Sequence, residues 1–151
     1  MRYLAVVTRE GRFTLARFPD CPGCQTFVGR AAVIGRAARE ALEGWLEAEL
    51  LAGRAPPRPS ARVRRPPRAR LLPVVPSPRL ALAVQLRWAR RDAGLTQEGL
   101  ARRLGVSQQQ VAKVEHPDAN PTLATLLRVA GVLGLEIRAE PAGATPGSVA
   151  A

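Results

Sequence analysis

The stretch that most constrains this chain is Gly94–Glu115, GLTQEGLARRLGVSQQQVAKVE, which reads as two short helices joined by a tight turn. Thr96 is suited to cap the first helix, with Gln97 next to it, because a hydroxyl can accept a bond from the unpartnered N–H groups of a first turn. Leu100, Ala101 and Leu104 then share one helical face. Gly105 supplies the positive φ that ends the helix. Val106 re-enters the core and Ser107 caps the second helix. There Val111 and Val114 point inward, while Gln109, Ala112 and Lys113 lie on the opposite face. The small Ala101 permits close crossing of the two helices. Glycine turns also join helices in ordinary bundles, but a bundle has no need of amides and a lysine at the exposed start of a short helix.

Side chains of that kind in that place reach base edges in a major groove. Glutamine can pair in two-pronged fashion with adenine, and lysine can reach guanine N7 and O6. The segment resembles the helix-turn-helix of the Cro/repressor (XRE) family in Ala93, Gly94, Leu95, Thr96, Gln97, Leu100, Ala101, Gly105, Val106, Ser107, Val111 and Glu115. The resemblance implies that Gln97 contacts phosphate and that Gln108, Gln109 and Lys113 face the major groove of double-stranded operator DNA. Ser107 and Gln110 are expected at the DNA backbone, as are Asn120 and Thr122 at the next helix start. One recognition helix reads few bases, so a homodimer or higher homo-oligomer on a palindrome is expected.

The net charge of +11 favours a polyanionic partner without choosing between nucleic acid, an acidic protein and a membrane surface. Lys113 is the only lysine, so the arginine excess is not read as an RNA-binding motif. Residues 1–60 hold nine arginines against six acids, residues 61–77 hold five arginines and no acid, and the rest is again +3. The central stretch and Pro56-Pro57-Arg58-Pro59 before it are proline-rich, which marks a boundary. The chain therefore divides into a first domain over 1–60, a basic linker over 61–77 and a second domain over 78–141. Residues 142–151 are expected to form a disordered tail. No apolar run reaches the ~18 residues of a membrane span, and the N-terminus lacks the apolar core of a signal peptide. A cytoplasmic protein with no membrane partner is expected.

The first domain opens with an apolar, β-prone run over Arg2–Thr8, a turn at Glu10-Gly11 and a second strand over Phe13–Arg17. Thr26-Phe27-Val28 is a short third strand. A helix over roughly Arg30–Leu51 carries Ile34, Ala38, Ala41, Leu42, Trp45, Leu46 and Leu50 as one stripe, and Gly53 ends it. Leu71–Val75 is a possible fourth strand, confined to an edge by Pro73. The order βββαβ is an α+β layer of one helix on a small sheet.

Over roughly residues 1–77 the chain resembles the HicB antitoxin family. The likeness rests on the Tyr3 to Val7 strand, Phe18-Pro19-Asp20 followed by Pro22-Gly23-Cys24, the Ala37, Glu40-Ala41-Leu42 and Leu46 helix, and the Pro57, Pro59-Ser60 exit. It implies a partial RNase H-like domain that binds and blocks a small mRNA-cleaving toxin of the HicA type. It also implies a C-terminal DNA-binding domain that represses the operon. Phe18, Pro19 and Asp20 are the candidate toxin-binding residues. A blocker of a basic toxin is expected to be acidic, whereas these first 60 residues are +3, so either any blocking surface is local or the toxin partner is unusual.

The second domain is expected to be all-α apart from a terminal strand. Pro78 suits a first helical turn, and Leu80, Val84, Trp88 and Leu95 fit one buried stripe that Leu82 and Leu86 widen. After the paired helices, Thr122–Leu133 is a helix with Leu123, Leu126, Leu127, Ala130 and Leu133 inward, ended by Gly134. Leu135–Glu140 reads as a short strand that pairs with its copy in a second subunit.

Catalytic inventory is thin. Zinc needs four ligands, and Cys21-Pro-Gly-Cys24 has no second pair. Those cysteines fit a structural turn, a zinc shared across a dimer, or adventitious redox chemistry. Glu10, Asp20, Glu40, Glu43, Glu47 and Glu49 do not form the clustered carboxylates of two-metal catalysis. No enzyme activity, metal or cofactor is expected. The linker arginines, Arg62 to Arg70, are either a solvated hinge or auxiliary phosphate contacts. Two functions follow: an antitoxin that represses its own operon, or a stand-alone XRE-type regulator whose first domain dimerises or senses a ligand.

Overall fold

The computed structural model describes residues 1–138. Strands β1 (Tyr3–Glu10) and β2 (Phe13–Arg17) form a hairpin with Val6 opposite Arg17 and Glu10 opposite Phe13. β3 (Gln25–Val28) pairs with β2, and β4 (Arg70–Val74) pairs with β1, giving the antiparallel order β3-β2-β1-β4. Pro73 sits opposite Leu4 in the edge strand β4, where a residue without an N–H is tolerated. Alternation sets the two faces: Tyr3, Ala5 and Val7 are buried, and Leu4, Val6 and Thr8 are half-buried.

Helix α1 (Ile34–Leu51) covers the buried face through Ile34, Ala38, Leu42, Leu46 and Leu50, each one turn from the last. One 3-10 turn, Ala31–Val33, precedes it, so the α-helix begins later than the sequence pattern suggested. It ends on Gly53, whose φ of 74° lets Gly53 N–H reach Leu50 O (3.0 Å) and Arg54 N–H reach Glu49 O (2.9 Å). The architecture is the expected α+β arrangement: an antiparallel sheet with its helix, then a helical segment.

Helix α2 (Pro78–Asp92) belongs to both cores. Leu80, Ala83 and Val84 pack into the sheet–helix core, while Leu86 packs with Leu100, Ala101, Val111 and Val129. The single stripe expected for this helix is thereby corrected. Leu80, Val84 and Trp88 face the first core, and Leu82, Leu86 and Leu95 the second. A helix wedged between two bodies must be apolar on two sides. The proline-rich segment after α1 is pinned across this junction. Tyr3 Oη donates to Pro57 O and Trp88 Nε1 to Pro56 O, each at 2.7 Å. Arg58 lies over the Trp88 ring and pairs with Asp92.

Helices α3 (Gln97–Leu104), α4 (Gln108–Val114) and α5 (Leu123–Leu133) complete the described chain. On α5, Val129 and Ala130 are buried and Leu126 and Leu133 are half-buried. Leu123 and Leu127 are 63% and 56% exposed, contrary to expectation. Among the described residues this helix meets neighbours on one side only, so its apolar stripe is wider than its cover. Leu135–Arg138 carries no strand within this single chain, where no ladder partner lies beside it among the described residues; the expected pairing is with a second subunit's copy. Residues 139–140 of that strand and the tail over 142–151 lie outside the described residues.

Candidate nucleic-acid interface

The turn between α3 and α4 is built from local chemistry. Thr96 Oγ1 accepts Gly99 N–H at 2.9 Å and starts α3. Gly105, at φ 66° and ψ 37°, ends it, with Val106 N–H returning to Ala101 O at 3.1 Å. Ser107 and Gln110 then form a capping box: Ser107 Oγ accepts Gln110 N–H at 3.3 Å, and Gln110 Oε1 accepts Ser107 N–H at 2.9 Å. Both side chains, expected at the DNA backbone, are thus engaged in starting α4. Gln108 and Gln109 between them are exposed, as is Lys113 one turn on.

The far end of α4 is held by charge. Glu115, its C-cap residue, is buried. Its Oε2 accepts Arg87 Nε at 3.2 Å, Arg90 Nη2 at 2.9 Å and Gln97 Nε2 at 3.1 Å, and its Oε1 accepts Arg90 Nε. Burial pushes this carboxyl up, but the bonds from Arg90 and Gln97 and the charges of Arg90 and Arg87 outweigh it and hold it below its ordinary range. Burial, together with the charges of Arg90 and Arg91, lowers Arg87 despite the opposing pull of Glu115. Arg87 Nη1 also donates to Leu50 O at 2.8 Å and Arg54 O at 3.1 Å, so one guanidinium ties the end of α1 to the end of α4. Gln97, expected on phosphate, is half-buried with its amide N–H turned to Glu115.

Gln110, Lys113, Asn120 and Thr122 line one open groove between α4 and the start of α5. Asn120 is exposed, and Thr122 caps α5 by accepting Thr125 N–H at 3.2 Å. The structure thus gathers Gln108, Gln109, Lys113 and Asn120 around α4 as open side chains, and gives Ser107, Gln110, Thr122 and Gln97 internal partners. Sequence reasoning missed Arg87 and Arg90. Their signal was two arginines one turn apart, set among the apolar positions Ala83, Val84, Leu86 and Ala89 of α2, which calls for a buried carboxylate.

In the first body the candidate partner-binding residues separate. Phe18 is a core residue, packed with Tyr3 and Leu42, and is not presented to a partner; this corrects its expected role. Pro19 is exposed. Asp20 clamps Ser60, accepting its N–H at 2.9 Å and its hydroxyl at 2.5 Å. Cys21 and Cys24 are buried in a tight turn in which Cys24 N–H donates to Cys21 O at 2.9 Å. Burial, with Cys24 next to it, pushes the Cys21 thiol up to about 12, and burial pushes Cys24 up to about 11. Both are therefore protonated, unreactive thiols near neutral pH.

Comparison with known proteins places the second segment. The helix-turn-helix family HTH_3 matches residues 86–139, so the chain carries a helix-turn-helix domain of that type. An uncharacterized HTH-type transcriptional regulator, y4dJ of Sinorhizobium fredii (strain NBRC 101917 / NGR234), is 46% identical over 46 residues. That alignment covers 30% of this chain and 60% of the relative's length. A solved "HicA3 and HicB3 toxin-antitoxin complex" superposes with a TM-score of 0.41 at 24% identity, over 52% of this chain and 100% of the other. No helix among the described residues is long and apolar enough to cross a membrane.

Proposed function

We propose that the chain is a sequence-specific, DNA-binding transcriptional regulator, and more narrowly an antitoxin that represses its own operon. The observation that carries the DNA reading is the open trio Gln108, Gln109 and Lys113 on a helix fixed at both ends, by its capping box and by buried Glu115. A rigid α4 presents donors and acceptors to base edges without first having to be ordered. Two copies on a palindrome would be joined through the apolar surface at the chain's end, where Leu123, Leu127, Leu135 and Ile137 are exposed.

The antitoxin reading rests on the sheet–helix body fused to this reading head and on its resemblance to HicB. It meets the basic charge of the body with a local feature: α1 carries four glutamates and two arginines, a net −2 within a stretch of net +3. An acidic helix suits a basic, RNA-binding toxin. The positive balance of the whole body favours the second reading, a stand-alone regulator. Two measurements decide. Footprinting on the DNA upstream of its own gene should protect a site of two related half-sites; no protected site would contradict the DNA reading. Co-expression with any small basic protein encoded beside it should give a stable complex and relieve that protein's toxicity. Absence of both leaves the stand-alone regulator.

A further inference from the structure

We infer that the open face of the sheet is a binding platform for single-stranded RNA. This goes beyond the proposed DNA and toxin roles, and of the residues named for them it shares only Pro19, which lines the groove. The face turned away from α1 carries Leu4, Val6 and Thr8 of β1, Phe13, Leu15 and Arg17 of β2, and Phe27 of β3, by the alternation and register of the strands. Phe13 and Phe27 are 37% and 68% exposed, with ring centroids 5.9 Å apart and planes at 77°. Exposed phenylalanines forgo part of the burial that would stabilise the fold. Two of them side by side on one open face therefore point to a ligand that covers them.

The surrounding charge says what ligand. The Arg12 guanidinium stands 4.9 Å from the centre of the Phe13 ring. Arg17 lines a groove on the same face with Val6, Leu15 and Pro19, and Arg64 and Pro66 of the basic segment also line it. Glu10 is the one carboxylate of that groove among the described residues. Aromatic rings accept unstacked bases, and the arginines beside them accept phosphates; that pairing is how sheet faces hold single strands. A duplex hides its base faces, and a basic protein is repelled here. RNA rather than DNA is assigned on the strength of the proposed regulatory role, since RNA is the polymer that persists single-stranded beside a gene being transcribed.

The test is fluorescence anisotropy of the full chain with labelled twelve-nucleotide oligouridine and oligoadenosine RNA. Phe13→Ala/Phe27→Ala should weaken RNA binding about tenfold without changing net charge, as loss of base stacking does. Phe27→Trp should retain binding, and operator-duplex binding should be unchanged in both variants. Arg17→Gln should flatten the salt dependence of RNA binding. Equal RNA affinity for wild type and the double alanine variant overturns the inference, since binding is then charge alone. So does single-stranded DNA of matched sequence binding tenfold tighter than RNA. So, too, does loss of a co-purifying protein partner in the double variant with RNA binding intact. Failure of the operator to bind at all bears only on α4.

Discussion

Glu115 is a single carboxylate with Arg87, Arg90 and Gln97 bonded to it out of water. Removing one partner of such a buried group leaves charge without compensation, which costs about 3–5 kcal/mol. Glu115→Gln should therefore lower unfolding stability by about that amount at neutral pH, measured in urea. The carboxyl is depressed in the folded state, so its contribution is full above the ordinary carboxylate pKa of about 4.3 and is lost as pH falls through the folded value. The gap between wild type and Glu115→Gln should close as the solution is acidified; a constant gap would contradict the assignment. The sequence displayed Glu115 only as part of a motif. Its arginine partners lie 28 and 25 positions away, a pairing that no local pattern discloses. Gln97 illustrates the same limit, since its position gives a surface role and its amide bonds inward.

At the scale of elements, the starts and stops of α3, α4 and α5 were legible because they are local chemistry. Thr96, Ser107 and Thr122 each accept a first-turn N–H, and Gly105 and Gly134 end helices at positive φ. Ser107→Ala removes one half of the capping box and should cost about 1 kcal/mol in urea unfolding. The four strands were legible too, because alternation and turn residues are read within a few positions. Faces of helices were not. α2 was read as one stripe although it serves two cores, and Leu123 and Leu127 were read inward although no described residue covers them. Apolar spacing says that a side could be buried; only the neighbouring elements decide whether it is. Phe18 erred the other way, as a motif residue that the core absorbs.

At the scale of the whole molecule, two bodies are locked together rather than strung on a flexible linker. Leu80, Ala83 and Val84 enter one core and Leu86 the other, while Arg87 reaches α1 and Glu115 together. The chain should unfold in one cooperative transition, with tryptophan fluorescence and helical circular dichroism coincident. Arg87→Met, which cuts the bridge, should separate the two curves or shift both downward; an unchanged, coincident pair would show the bridge to be idle. A rigid body behind α4 gives its side chains a fixed aim, and that aim is the central claim. The most direct test is binding of wild type and Gln109→Ala to the footprinted duplex and to a scrambled duplex of equal length and charge. Wild type should prefer the specific duplex, and Gln109→Ala should lose about 1–3 kcal/mol of that preference while its scrambled-duplex affinity stays the same. Equal discrimination by the two proteins would contradict the account.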